Sequence, residues 1–149
     1  MRLAILVSLL FAAHAAQAQS AADSIEAEKR MYLEAIAKQI AGNENKPAAE
    51  VFKNIKMMKD NTARRLLNIM NFGFSRSLGV GCTHCHVAND WANDEKATKN
   101  VAREMAAMVQ TINQKLLPEI EGLRAKRPTV NCTTCHRGEV QPALSMPPR

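Results

Sequence analysis

Two short motifs of cysteine and histidine contain the residues of this chain that are best suited to chemistry. The first reads CTHCH from Cys82 to His86, and the second reads CTTCH from Cys132 to His136. In each motif two thiols on one short turn can form thioethers with the vinyl groups at one edge of a haem, and the histidine that follows can bind the iron. The pattern predicts two covalently attached haem c groups. The thioether residues are Cys82, Cys85, Cys132 and Cys135, and the proximal ligands are His86 and His136.

Three other uses of paired cysteines explain these motifs less well. A zinc site made by four cysteines gives no reason for a histidine directly after each pair. A thioredoxin-like redox motif is expected once and in a βαβ setting, whereas this chain has helical periodicity. Disulfides across so short a loop are uncommon, even in an exported protein. Covalent haem accounts for both the cysteines and the histidines.

The remaining histidines are too few to bind both irons from the far side. The chain has four histidines, of which His14 lies in a predicted export signal and two are the proximal ligands. His84 lies inside the first loop, too close to turn to the opposite face of its own haem. It is interpreted as an exposed loop residue that could at most reach the other haem or a partner. At least one iron therefore needs a different ligand, and a methionine sulfur would raise its reduction potential.

Three methionines are the candidates for the distal ligands. Met70 lies twelve positions before Cys82, and a link of that length spans up to about 40 Å, which is enough to turn round a haem edge. Met105 and Met108 share one face of a predicted helix, so both can contact the second haem while only one binds its iron. Ordinary core packing is the alternative role of a helical methionine. The methionines with weaker claims are Met31, Met57, Met58 and Met146.

Helical periodicity accounts for most of the chain outside the motifs. The sequence predicts helices over 20–41, 61–77 and 96–117, with Asp23 and Asp60 as the caps of the first two. Gly42 follows the first helix, Gly79 and Gly81 break the second, and Pro118 ends the third or begins one more short turn. The second helix is expected to present Leu66, Ile69, Met70 and Phe74 on one face.

Two further segments are interpreted as extended, and the chain as a whole as all-α. EVFKNIKMM reads as a short extended piece, and the tail QPALSMPPR is rich in proline. Strand alternation is absent elsewhere. The predicted architecture is a small helical multihaem cytochrome c with two pseudo-repeated units, each made of a methionine-bearing helix, a turn and a CxxCH motif.

The first eighteen residues predict export. Arg2, an apolar run from Leu3 to Ala13 and an Ala-x-Ala pattern are typical of a signal peptide that is cleaved after Ala18, or after Ala15. Residues 19–149 then form one periplasmic domain without a transmembrane anchor. The formal charge of +6 falls to +5 once Arg2 leaves with the signal. It suits an acidic partner surface, anionic lipid heads or simple solubility, and nucleic acid is not expected as a partner of an exported protein.

The stretch LGVGCTHCHVANDWANDEKATKNVAREMAAMVQTIN, together with VNCTTCHRG, closely resembles the photosynthetic reaction centre cytochrome c subunit family over residues 50–138. The full subunit of that family has four haems, and this chain resembles a half that contains two. The resemblance implies a helix with the axial methionine before each motif. The family's ARxM pattern corresponds to residues 102–105, which implies Met105 rather than Met108, and its first-unit methionine corresponds to Met70. The link from Met105 to Cys132 is longer than usual, which leaves Met108 as the alternative.

Taken together, the motifs predict a periplasmic diheme c-type cytochrome that transfers single electrons between redox protein partners and is not an enzyme. A membrane-bound complex is one such partner, and the sequence does not separate a mobile carrier from a fixed subunit. The competing interpretation is a small haem enzyme, peroxidase-like or reductase-like, with one open iron site. It is disfavoured because His84 is the one spare histidine and about 130 residues leave little room for a substrate pocket beside two haems.

Overall fold

A computed structural model describes residues 2–145, and it describes side chains for residues 19–145. The α-helices in chain order are α1 (Arg2–Gln39), α2 (Ala48–Val51), α3 (Ala63–Asn68), α4 (Arg76–Leu78), α5 (Ala97–Thr111) and α6 (Cys132–His136). A π-helical segment, Ile69–Ser75, joins α3 to α4, and a second one, Ile112–Leu116, extends α5. Within the described residues, extended pairing is limited to two isolated β-bridges. The all-α prediction is confirmed.

The first helix begins much earlier than predicted. It starts at Arg2, so Asp23 lies inside it and is not its N-cap. The residues around position 20 include several alanines, which favour helix and give the chain no reason to break there. The end agrees with the prediction, since α1 stops at Gln39 and Gly42 follows with a φ of 80°. The side chains of residues 1–18 lie outside those described, so the signal peptide stays a prediction.

None of the helices in residues 2–145 has an apolar stretch of the length needed to cross a membrane.

The segment that includes α2 and the residues after it also differs from its prediction. Residues 48–51 are helical, and the residues that follow are irregular, with Asn54 and Met58 at positive φ. The extended interpretation of EVFKNIKMM is therefore wrong. In the tail, residues 139–145 are irregular, and Met146 lies outside the described residues.

The second predicted helix is present as a continuous helical run from Ala63 to Leu78. Its N-cap is Thr62 and not Asp60, because the Thr62 side chain accepts a hydrogen bond from the Arg65 amide at 3.2 Å. Residues 61 and 62 pair with the segment before α2, which keeps them outside the helix. Gly79, with a φ of 67°, ends the run as predicted.

The third predicted helix is also present. It begins at Ala97, continues through its π-helical segment, and closes with a 3₁₀ turn, Leu117–Glu119, that contains Pro118. Proline is tolerated in the first turn of a helix because its missing N–H is not needed there. Pro118 therefore begins one more short turn rather than ending the helix.

A joint between α4 and α6 connects the two CxxCH motifs. The Gly138 amide donates to the Ser77 carbonyl at 2.8 Å, and the hydroxyls of Ser77 and Thr133 are 2.6 Å apart. Gly79 lies against Gly138 so closely that a Cβ atom at Gly79 would overlap the Gly138 carbonyl oxygen. The second motif is thus fixed directly to the helix that precedes the first motif.

The joint leads to a prediction for Gly79→Ala. Alanine at a positive φ costs about 1–2 kcal/mol by itself, and overlap with the Gly138 backbone should bring the loss in free energy of unfolding to about 3 kcal/mol. Gly122→Ala is the matched control, since Gly122 also has a positive φ of 78° but has no neighbour near its Cβ position. Denaturant unfolding of both variants checks this, and equal losses would contradict the joint.

Candidate haem-binding site

A cavity of about 520 Å³ lies beside the first motif. Its walls include Cys82, Cys85 and His86 from the motif and Met70 from the helix before it. All four residues that the sequence assigns to the first haem therefore meet at one cavity. Met57, which had a weaker claim, also lines this cavity.

The π-helical segment explains why Met70 faces the cavity. Leu66, Met70, Phe74 and Leu78 all line it, at intervals of four residues. In an α-helix of 3.6 residues per turn, such a row drifts by about 40° per step. A π-helix has about 4.4 residues per turn, so the row drifts the opposite way there and stays on one face. Ile69, expected on the same face, does not line the cavity.

The ring of His86 is oriented by a backbone carbonyl. Its Nδ1 lies 3.2 Å from the carbonyl oxygen of Trp91, which can only accept a hydrogen bond, so Nδ1 carries the proton. The Nε2 lone pair is left available for a metal ion. Burial lowers the pKa of His86, while the Trp91 carbonyl opposes this shift and the cations of Lys99, Arg103 and Lys96 add to it. The imidazole is therefore held in the neutral form that binds iron.

Hydrogen bonds from two helices hold the loop of the first motif. The Thr83 amide donates to the Glu28 carboxylate of α1 at 2.8 Å, and the Lys96 ammonium donates to the Thr83 carbonyl. At the start of α5, the Thr98 hydroxyl donates to the His84 carbonyl at 2.7 Å. The side chain of His84 is exposed, as expected.

The cysteines do not have the properties of a redox-active or zinc-binding set. Burial raises the pKa of the thiols of Cys82, Cys85 and Cys132, whereas a reactive cysteine has a lowered pKa. None of the four cysteines is paired in a disulfide in the structure. Among the described residues, no group of three or more His, Cys, Asp and Glu side chains is arranged to hold a metal ion by itself. The cysteines and histidines of the two motifs therefore do not come together in one shared metal site.

The second motif forms α6 and repeats the orientation of the histidine. Asn131 caps α6 by accepting from the Thr134 amide at 3.1 Å. The Nδ1 of His136 lies 3.0 Å from the Glu139 carbonyl oxygen, so Nε2 is again the free nitrogen. Asn113, beyond α5, pairs with both backbone groups of Val130 at 2.8 and 2.9 Å and ties the approach to this motif to the α5 helix.

Met105 and Met108 lie on α5, and neither lines the cavity beside the first motif. Met105 is half-buried, whereas Met108 is 45% exposed. We call α5 together with its π-helical extension, residues 97–116, the α5 run. Two other apolar side chains of this helical run are exposed as well, Val101 at 54% and Leu116 at 51%. The apolar side chains of this helical run are therefore only partly covered.

Sequence reasoning missed an ionic cluster at the cavity wall. Asp94 accepts from three cations, Lys56 at 2.8 Å, Arg103 at 2.9 Å and Lys99 at 3.0 Å. The Asn54 amide also donates to Asp94 at 2.9 Å. The one hint in the sequence is the residue type at position 54, because asparagine tolerates the positive φ that it adopts there. Nothing in the sequence pairs residue 54 with residue 94.

Comparison with known proteins agrees with the interpretation of the motifs as those of a c-type cytochrome. A sequence profile described as photosynthetic reaction centre cytochrome C subunit matches residues 12–146. The reaction centre cytochrome c subunits of Thermochromatium tepidum and Roseobacter denitrificans are 30% and 31% identical to this chain, each over 64% of its length. Cytochrome c-554 of Chloroflexus aurantiacus is 30% identical over 56% of it. The aligned part covers 22%, 26% and 20% of these three relatives respectively.

The Asp94 cluster predicts a pH dependence of stability. Hydrogen bonds from Arg103, Lys56, Asn54 and Lys99 hold the pKa of Asp94 well below its usual range. The stabilisation is present above the unfolded pKa of about 3.9 and is lost as pH falls. The destabilisation caused by Asp94→Asn should be largest above pH ~5 and shrink below pH ~4. Urea unfolding across this range measures it, with the exposed Asp60→Asn as the control, and a pH-independent difference would contradict the prediction.

Proposed function

Because this chain belongs to the photosynthetic reaction centre cytochrome c subunit family, we propose that it is an exported c-type cytochrome. In this proposal it carries two haem c groups and transfers single electrons between redox protein partners. The observation that carries the proposal is the paired geometry of the motifs. In each, two thiols lie beside a histidine whose Nδ1 is bonded to a backbone carbonyl, which leaves Nε2 for iron.

The residues around the first motif fit a haem. The cavity offers the two thiols, the oriented imidazole and the Met70 thioether, and its remaining lining is largely apolar. Asn71 lines the same cavity, and its buried side-chain oxygen has no hydrogen-bond partner in the part of the chain that the structure describes. As an acceptor, this oxygen can take a hydrogen bond from a water or a protonated carboxyl at the polar edge of a bound group. When bound, haem supplies a one-electron iron couple.

The second motif supports a second haem in a different way. Cys132, Cys135 and His136 repeat the donor set, and exposed apolar side chains on the α5 run provide surface of the kind that a porphyrin covers. The α4–α6 joint keeps the two motifs in one structural unit. Transfer between two sites in one protein requires such fixed proximity.

Met70 and Met105 are the distal ligands in this proposal. Met70 shares a cavity with His86, and the family pattern favours Met105, which is also better covered than Met108. With a methionine on each iron, neither has an open position for a substrate. The protein then acts as an electron carrier, and the peroxidase-like or reductase-like alternative has no support from a vacant position.

Partners and location are also part of the proposal. The first eighteen residues are removed on export, and residues 19–149 remain in the periplasm. Two of the relatives are named as subunits of reaction centres, so a membrane-bound redox complex is one partner class. The chain spans only about a fifth to a quarter of those relatives. Its formal charge of +6 falls to +5 when Arg2 is removed with the first eighteen residues, and this charge favours an acidic docking surface.

Intact mass tests the number of haems. The exported protein should have the mass of residues 19–149 plus two haems, because each motif supplies both thioether thiols. The double variant Cys132→Ala, Cys135→Ala should lose one covalent haem and keep the other. A mass equal to that of the bare chain, or of the chain plus zinc, would overturn the proposal.

Substitution of the methionines tests the distal ligands. Met70→Leu and Met105→Leu should each remove about half of the far-red charge-transfer band of methionine-ligated ferric haem, and should let carbon monoxide bind one reduced haem. Met57→Leu and Met108→Leu are the matched controls, since each lies near the same site as the expected ligand and should leave the band intact. A larger effect from a control would reassign that ligand. Carbon monoxide binding to the unsubstituted protein would favour the enzyme alternative.

A further inference from the structure

Lys99 is a buried lysine with an unusual set of partners. It lies in the first turn of α5 and is only 7% exposed. Its ammonium donates to the Trp91 carbonyl at 2.9 Å and to the Asn93 carbonyl at 2.6 Å, and it pairs with Asp94 at 3.0 Å. An ammonium group has three donors, and all three are satisfied here. The charge is therefore held in one place inside the wall of the cavity.

The Trp91 carbonyl accepts from both Lys99 and His86. Its oxygen lies 2.9 Å from the Lys99 ammonium and 3.2 Å from Nδ1 of the imidazole. A carbonyl that accepts from Nδ1 increases the basicity of a metal-binding histidine. A cation on the same oxygen withdraws electron density from it, so the imidazole donates less to the metal. Both this effect and the positive charge itself favour the reduced iron.

The second motif lacks this arrangement. His136 donates to the Glu139 carbonyl at 3.0 Å. Within residues 19–145, no lysine or arginine side chain is hydrogen-bonded to that carbonyl, and Glu139 is exposed. Two sites with the same motif thus differ in the electrostatics of the group that orients the histidine.

We propose that Lys99 is a positioning residue that raises the reduction potential of the first haem above that of the second. This inference rests on the proposed function, since it needs both haems to be present. Its consequence is a direction of transfer, with the electron residing at the first motif, beside α1 and α5, and leaving the second motif free to accept the next one. The effect needs no change in protonation of Lys99.

Lys56 offers a matched comparison within the same cluster. It pairs with Asp94 at 2.8 Å, as Lys99 does at 3.0 Å, but the Lys56 side chain is 57% exposed and the Lys99 side chain 9%. Among residues 19–145, Lys56 is bonded to Asp94 alone, whereas Lys99 also bonds to the Trp91 carbonyl. Removing either cation changes the net charge equally, so a difference between the two variants isolates burial and the shared carbonyl.

The experiment is a spectroelectrochemical titration of the exported diheme protein, which should give two one-electron waves. In Lys99→Met, the reduced-to-oxidised ratio of the higher-potential haem at fixed ambient potential should fall about tenfold, or ~59 mV, while the lower wave stays in place. Lys99→Arg, which keeps the charge, should change that ratio less than twofold. Lys56→Met should also change it less than twofold.

The controls separate this inference from loss of structure. If Lys99→Met attaches too little haem, Lys99→Gln removes the charge while keeping a donor, and should lower the ratio at least threefold. An unchanged higher wave in Lys99→Met or Lys99→Gln, with two haems by mass and an intact far-red band, would overturn the inference and leave the proposed function standing. Equal effects of Lys56→Met and Lys99→Met would also overturn it. Absence of haem from the unsubstituted protein would instead overturn the proposed function.

Discussion

The shortage of buried apolar side chains is the constraint that shapes this protein. Among residues 19–145, the buried apolar residues are Ile40, Ala48, Ala63 and Leu66, and no large side chain is fully buried. A chain of this size normally buries much more apolar area to offset its conformational entropy. Here the helices instead surround a cavity of about 520 Å³, to which α1, α3, α4 and α5 all contribute. What occupies that cavity therefore contributes to folding as well as to function.

Polar contacts position the motifs in the absence of a large core. The first motif is held from α1 through Glu28 and from α5 through Thr98, and the second is held by the α4–α6 joint and by Asn113. These contacts involve backbone groups of the loops, which would otherwise be costly to bury. The two motifs thus have the same local chemistry but different supports, and this difference allows the two sites to have different electronic properties.

The parts of the site that depend on short-range spacing could be predicted from the sequence. The CxxCH motifs, the helices before them and the Gly79 stop follow from residue type and local periodicity. Aspartate is a strong cap, so the sequence favours Asp60 as the N-cap of the second helix, but pairing of residues 61–62 with residues 47–48 selects Thr62. Lys99 looks like a solvent-facing residue in sequence. Its burial depends on carbonyl groups of a loop that helical periodicity cannot place.

The π-helical winding of Ile69–Ser75 makes this part of the chain sensitive to length. Because this segment already turns by only about 82° per residue instead of 100°, a wider turn cannot absorb a further residue, and one insertion would rotate α4 by about 80–100° relative to α3. Ser77 and Gly79 would turn with α4, so the row that includes Met70 and the joint to α6 would be lost together. The exposed link over 120–127 has no such role, and loops of this kind tolerate insertions at small entropic cost. Insertions are therefore tolerated between the α5 run and α6 but not between α3 and α4.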